Sequence, residues 1–235
     1  MTTSTSKLKQ MAAERAVEQI QSGMVVGLGT GSTALFAIQR LASLLASSLL
    51  KDIVAIPSSV RSRDEAVKLG IPLTGFDTHP IVDITIDGAD EVDPALNLIK
   101  GGGGALLREK IVAQASTRLV VIVDSGKLVS HLGETFPLPV EVVSFGWETQ
   151  LSFLQDLGAK VSLRRTDQGE PFITDQHNLI LDCDFGPIRQ MAELNQALNQ
   201  RAGIVEHGLF LGMADEVIVA SPQGITQLTA SGSSS

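Results

Sequence analysis

Met24-Val25-Val26-Gly27-Leu28-Gly29-Thr30-Gly31-Ser32-Thr33 begins as an apolar run and then breaks into glycines and hydroxyls. Met24 to Leu28 reads as a short buried strand, and Ser32 to Ser48 reads as a helix. A strand that turns through glycine directly into a helix opens a βαβ unit, and so implies a parallel sheet. The turn also has a chemistry. Its glycines allow a sharp bend that presents N–H groups, the helix N-terminus adds positive potential, and the hydroxyls add donors, which together suit a phosphate. Gly29 to Ala34 also fits G-x-G-x-x-A, so a dinucleotide site is an alternative. That site needs an acid about 20 residues on, but the next strand ends Ile56-Pro57-Ser58-Ser59, and Asp52 lies before it. No Walker lysine follows the glycines. These residues favour a phosphate monoester, with a bare structural turn and a dinucleotide as the other readings.

Outward from this stretch the same rhythm repeats. Upstream, Leu8, Met11, Ala12, Ala16, Val17 and Ile20 form a helical stripe within Lys7 to Ser22, with Gly23 placed to close it. Downstream, Ile53 to Ile56 reads as strand, Val60 to Leu69 as helix, Ile81 to Ile86 as strand, Ala105 to Ala115 as helix and Leu119 to Val123 as strand. The strands are nearly continuous in apolar residues, as expected where helices cover both faces. After Pro137-Leu138-Pro139 the order changes to strand (Val140 to Ser144), helix (Trp147 to Leu157), and strand (Lys160 to Arg164). A turn at Asp167-Gln168-Gly169, a strand (Asn178 to Cys183), a helix (Ile188 to Asn199) and a last strand (Gly203 to Glu206) complete it. That β-α-β-β-α-β order is ferredoxin-like. A hairpin of Glu216 to Ala220 and Ile225 to Leu228 then returns to the first domain. The expectation is an α/β protein: a Rossmann-like parallel-sheet domain over 1–135 and 208–229, an inserted ferredoxin-like α+β domain over 136–207, and a disordered tail at 230–235.

Composition bounds the function. The chain has 235 residues, 43% hydrophobic and 19% charged, with 4% aromatic and no Tyr, which predicts an aliphatic globular core. The polar N-terminus lacks an apolar signal core, and no apolar run approaches the roughly 18 residues of a membrane span. No membrane association is expected. The single Cys183 fits a reducing cytoplasm and reads as core filler. A net charge of −8 leaves no basic stripe for nucleic acid, though it permits a small anion held by local donors.

Two further motifs carry chemistry. Asp87-Gly88-Ala89-Asp90-Glu91-Val92-Asp93 follows a strand, where ligands of open α/β sheets bind. Four acids in seven residues could hold a divalent metal, but His79 and His131 are isolated and no accompanying ligand set exists. A solvated turn is the plain alternative. Lys100-Gly101-Gly102-Gly103-Gly104, followed by Arg108-Glu109-Lys110, places a cation before an amide-rich loop and a helical carboxylate after it. An enediolate intermediate needs such a base and such oxyanion donors, while a flexible linker is the alternative.

Taken in order, Gly29-Thr30-Gly31-Ser32-Thr33, Asp87-Gly88-Ala89-Asp90, Lys100-Gly101-Gly102-Gly103, Arg108-Glu109-Lys110, Val123-Asp124-Ser125-Gly126-Lys127 and Pro137-Leu138-Pro139-Val140-Glu141-Val142 make the chain resemble the ribose-5-phosphate isomerase A family. The resemblance runs over essentially the whole chain before the tail. Gly104 is its one departure, at a position where alanine is expected and where the change should matter little. The resemblance implies that Lys9, Thr30, Gly31, Ser32 and Thr33 contact the substrate and its phosphate. It implies that Asp87, Gly88, Ala89 and Asp90 meet the sugar, with Asp87 assisting ring opening. Lys100 and the amides of Gly101, Gly102 and Gly103 would steady the enediolate, Glu109 would carry the proton between C2 and C1, and Lys127 would be a further contact. It also implies a sugar-phosphate substrate, no cofactor, no metal, and a homodimer or homotetramer in the non-oxidative pentose phosphate pathway. Aminosugar-phosphate deaminases, CoA transferases, a sugar-phosphate-sensing regulator and a dehydrogenase are the rival classes.

Overall fold

The computed structural model describes residues 4–229; the tail expected to be disordered lies outside them. In chain order the elements are α1 (Thr5–Val17), β1 (Val25–Leu28), α2 (Ser32–Ala46), β2 (Val54–Pro57), α3 (Val60–Lys68) and β3 (Ile84–Gly88). Next come β4 (Glu91–Val92), β5 (Leu98–Ile99), α4 (Leu106–Gln114) and β6 (Leu119–Asp124), followed by a 3₁₀ turn (Ser125–Lys127). Then follow β7 (Leu138–Val142), α5 (Glu148–Asp156), β8 (Lys160–Leu163), β9 (Leu179–Asp184), α6 (Met191–Asn199) and β10 (Ile204–His207). The last three are β11 (Leu209–Phe210), β12 (Glu216–Ser221) and β13 (Gly224–Thr229).

The larger sheet has the order β13-β12-β6-β3-β1-β2, parallel throughout except for the β12–β13 hairpin. Its strands read as continuous apolar runs because each face is covered. On β6, Val120 and Ile122 enter the core under α1 and α2, whereas Leu119, Val121 and Val123 enter a second core with Phe210 and Val217. The chain enters this sheet at β1, one strand in from the β2 edge, adds β2 on one side and then builds β3, β6, β12 and β13 on the other. The loops after β1 and β3 therefore meet at the switch point, where ligands of such sheets bind. The smaller sheet, β10-β7-β9-β8, is antiparallel throughout, which is the ferredoxin-like order. Its core joins Leu138, Val140, Leu154, Leu181 and Leu198 to Ile99, Leu132 and Leu209 from outside residues 136–207. Cys183 lies inside it as expected, unpaired and buried.

Several boundaries differ from the sequence reading. α1 stops at Val17 rather than Ser22, because Ile20 turns into the core and Ser22 and Gly23 instead bond Lys51. Gly23 thus turns the chain toward residue 51 and does not cap the helix. α6 starts at Met191 rather than Ile188, whose amide is engaged by the Leu132 carbonyl at 2.7 Å. The third strand starts at Ile84, and Ile81 is exposed. The short strands β4, β5 and β11 form a third sheet that the sequence did not reveal, since two-residue strands carry no periodicity. Among the described residues no helix is long and apolar enough to cross a membrane.

Candidate active site

The glycines after β1 exist for close approach. A Cβ on Gly29 would lie 2.5 Å from the Asp87 Cα and 2.3 Å from its carboxylate. Its absence lets the end of β1 press against β3, where Thr30 donates its N–H to Asp87 Oδ1 at 2.9 Å. Gly31 is the N-cap of α2 and offers no side chain, so the first amides of that helix stay free of a side-chain cap. Lys9, on α1, donates from Nζ to Ser32 Oγ at 2.9 Å, bringing a cation to the same helix end. The result is a local positive corner in an acidic protein.

Lys100 is the centre of the second half of the site. It lies on the loop after β5 and is 2% exposed, and its Nζ contacts Asp87 Oδ2 at 2.9 Å, Glu109 Oε1 at 2.9 Å and the Gly88 carbonyl at 2.5 Å. Burial alone would lower its pKa, but the two carboxylates outweigh it and hold the ammonium above the ordinary lysine range. Burial raises the Glu109 carboxyl to about 8, against the opposing pull of Lys100, while Asp87 adds to the rise. A carboxyl near neutrality is suited to taking and returning a proton at working pH.

These groups border one small cleft of about 110 Å³ that opens to solvent. Lys9, Thr30, Gly31, Ser32 and Thr33 line it together with Gly88, Ala89, Asp90, Lys100, Gly101, Gly102, Gly103, Glu109 and Lys127. All the residues singled out from sequence are there except Asp87. Asp87 is buried, and its carboxylate is taken up by Lys100, the Thr30 N–H and the Gly88 N–H. The acidic run divides. Asp90 holds the Gly102 N–H at 2.7 Å, but Glu91 is buried and accepts from Gly133, Thr135 and Phe136, and Asp93 caps Ala95 and Asn97. Among the described residues no three His, Cys, Asp or Glu side chains converge as a metal site. His79 bonds Thr74, and His131 bonds Glu134.

Gly104 matters more than its place near a helix start implied. Its φ is +78°, and a Cβ there would fall 2.4 Å from the Phe172 ring. Other site residues escaped sequence reasoning. Ser58 is fully buried, and its hydroxyl pairs with Thr30 Oγ1 at 2.9 Å; only its position at the end of β2 could have marked it. Arg164 donates to the carbonyls of Gly101 and Gly102, and nothing in its local sequence announces that.

Comparison with known proteins is consistent across the chain. The family described as ribose 5-phosphate isomerase A (phosphoriboisomerase A) matches residues 54–224. Ribose-5-phosphate isomerase A of Desulfatibacillum aliphaticivorans is 58% identical over 97% of this chain and 99% of its own length. Probable ribose-5-phosphate isomerase 3, chloroplastic, of Arabidopsis thaliana is 50% identical over 96% of this chain and 84% of its own length. A solved D-ribose-5-phosphate isomerase in complex with phospho-erythronic acid superposes with a TM-score of 0.94, at 38% identity, covering 97% of this chain and all of the other. The Plasmodium falciparum enzyme gives 0.92 at 42% identity, covering 95% and 98%.

Proposed function

This chain belongs to the ribose 5-phosphate isomerase A family, and from that membership and the cleft we infer how it interconverts D-ribose 5-phosphate and D-ribulose 5-phosphate. The observation that carries the reading is Lys100 seated between Asp87 and Glu109 on a cleft shared with the N-terminus of α2. The phosphate is assigned to the amides and hydroxyls of Gly31, Ser32 and Thr33, with Lys9 and Lys127 supplying charge. Thr30 braces that corner through Asp87 and Ser58.

With the sugar chain open, Glu109 removes the proton from C2 and returns it to C1, passing through an enediolate. Lys100 remains charged throughout, because two carboxylates favour its ammonium form, and it faces the oxygen on which negative charge develops. The Gly101 and Gly103 N–H groups donate to no protein partner among the described residues and are available as further donors. Asp90 meets sugar hydroxyls while bracing Gly102. Asp87 aids ring opening chiefly through Lys100, since it does not face the open cleft. No metal or cofactor enters these steps.

Residues 1–135 and 208–229 form the catalytic unit in this reading, and 136–207 the inserted one. The protein is a cytoplasmic homodimer or homotetramer of the pentose phosphate pathway. Incubation with ribose 5-phosphate in D₂O tests the chemistry. Ribulose 5-phosphate carrying deuterium at C1 is expected, and product that stays free of solvent-derived label even after prolonged equilibration would point to a hydride shift instead.

A further inference from the structure

Arg164 lies just beyond β8, in the smaller sheet's half of the molecule. Asp182 on β9 fixes its guanidinium from one side: Nε donates to Oδ2 at 2.9 Å, and Nη2 donates to Oδ1. The remaining nitrogen, Nη1, donates to the Gly101 carbonyl at 2.8 Å and to the Gly102 carbonyl at 3.2 Å. Beside it, Phe172 lies 6.0 Å from the guanidinium and fills the space a Gly104 side chain would take. Arg164 and Phe172, from the segment that joins β8 to β9, therefore grip the glycine loop between β5 and α4.

That grip has a consequence for the cleft. In a planar trans peptide the C=O and the following N–H point in opposite directions. Drawing the Gly102 carbonyl toward Arg164 turns the Gly103 N–H away from Arg164, and Gly103 lines the cleft. On the peptide before it, Asp90 holds the Gly102 N–H while Arg164 holds the Gly101 carbonyl. Four consecutive glycines have wide conformational freedom of their own. Two charged groups, one on each side, remove it. A cation on the carbonyls also polarises the peptides and makes their amides better donors.

We propose that Arg164 is a positioning residue for the isomerisation: beside the smaller sheet it holds the Gly101 and Gly102 carbonyls and so sets the glycine loop with the free Gly103 amide turned toward the oxyanion of the intermediate. The proposal rests on the isomerase reading and adds a residue from outside the larger sheet to its machinery. Arg164 does not line the cleft, so its effect belongs in turnover rather than in binding.

Steady-state kinetics of R164M, R164K and D182N, with thermal melts of each, test it. R164M is expected to lose on the order of ten- to a hundredfold in kcat, the scale of a misplaced or missing oxyanion donor. Its KM should stay within about threefold of the parent protein. R164K, which can reach a carbonyl but not both together with Asp182, should recover part of the loss. Should R164M fail to fold, R164K and D182N keep side chains of similar size and carry the same comparison. A kcat within twofold of the parent, a loss confined to KM, or a loss matching only the fraction unfolded would overturn the proposal. The unaltered protein, run in the same assay, separates the two ideas. If it does not turn over ribose 5-phosphate, the isomerase reading fails; if it does and R164M matches it, only the role of Arg164 fails.

Discussion

Lys100 and Lys110 approach the buried ring of Phe210, their ammonium groups 5.5 and 4.9 Å from its centre. Both are buried. Lys100 contacts two carboxylates, Asp87 and Glu109, and opens on the cleft. Lys110 contacts one carboxylate, Glu206 at 2.6 Å, and the His207 carbonyl at 2.6 Å, away from the cleft. Burial depresses both lysines, but the second carboxylate reverses the outcome for Lys100, whereas Lys110 stays below the ordinary lysine value despite Glu206. Adjacent residues of α4, Glu109 and Lys110, take part in the two clusters because successive side chains on a helix diverge by about 100°. Charge count, rather than burial, separates the cluster proposed to react from the one proposed to be structural.

The largest test of that division removes one carboxylate from each cluster. Glu109→Gln keeps size and hydrogen bonding but abolishes the base, and kcat should fall by about 10² to 10⁴ with substrate binding retained by calorimetry. Glu206→Gln should leave kcat within a few fold. Comparable losses in the two variants would erase the distinction.

Removing the cations should exchange the readouts. Lys100→Ala is expected to lower kcat more than it raises KM, since the charge is needed most when the enediolate forms. Lys110→Met leaves Glu206 without its cation and the His207 carbonyl without its donor, and should act on the melt. Breaking a buried pair typically costs about 3–5 kcal/mol. Glu206 is 19% exposed and can recover some water, so roughly 3 kcal/mol is expected, or about 6–12 °C in Tm for a chain of this size. A Lys110→Met protein that melts normally but turns over slowly would place Lys110 in the reaction.

The same contrast explains which parts of the molecule could be read from its sequence. The glycine turn at Gly29–Thr33 and the Lys100–Glu109 segment were legible because each concentrates its chemistry within one stretch of chain. The strands of the larger sheet were legible because burial on both faces leaves unbroken apolar runs, as on β6. The second cluster was not. Lys110 meets Glu206 and His207 from almost a hundred positions away, and no local pattern records such a meeting. Arg164 was invisible for the same reason, because its carbonyl partners lie on the glycine loop. Glu91 and Asp93 misled in the opposite sense: they read as part of an acidic cluster, yet each is used up by loop amides.

A smaller effect appears in the pH profile of activity. In the proposed mechanism Glu109 must be ionised to act as base, and burial raises it to about 8. As pH falls below that value, kcat/KM should drop tenfold per unit, well above the range where an ordinary carboxylate would limit it. An acidic limb near pH 4 to 5 would mean that Glu109 is ionised as easily as a surface group, and the contrast between clusters would lose its main support.

The smallest effect concerns stability, where the two clusters pull in opposite directions with pH. Glu109 has its folded pKa raised from 4.5 to about 8, so the folded chain holds a proton there that the unfolded chain has lost. Its contribution to stability is intact below about pH 4.5 and declines as pH rises toward 8. His207 is the reverse: burial, then Lys110, pushes it from 6.5 down to about 3. The Leu209 N–H donates to its Nδ1 at 3.3 Å, which puts the ring proton on Nε2, an atom with no hydrogen-bond partner among the described residues and 3.8 Å from Glu206. Below pH 6.5 the unfolded chain takes up a proton that the folded ring refuses, so stability is lost as pH falls toward 3, by roughly 1.4 kcal/mol per unit at most. His207→Asn keeps an acceptor for the Leu209 amide and cannot titrate. Its stability deficit relative to the parent, measured by denaturant midpoints, should shrink by about 2 kcal/mol between pH 6.5 and 5. Glu109→Gln should show the opposite trend, gaining on the parent as pH rises from 5 to 8. Parallel pH curves for parent and both variants would show that neither burial governs stability, and the two clusters would differ in activity alone.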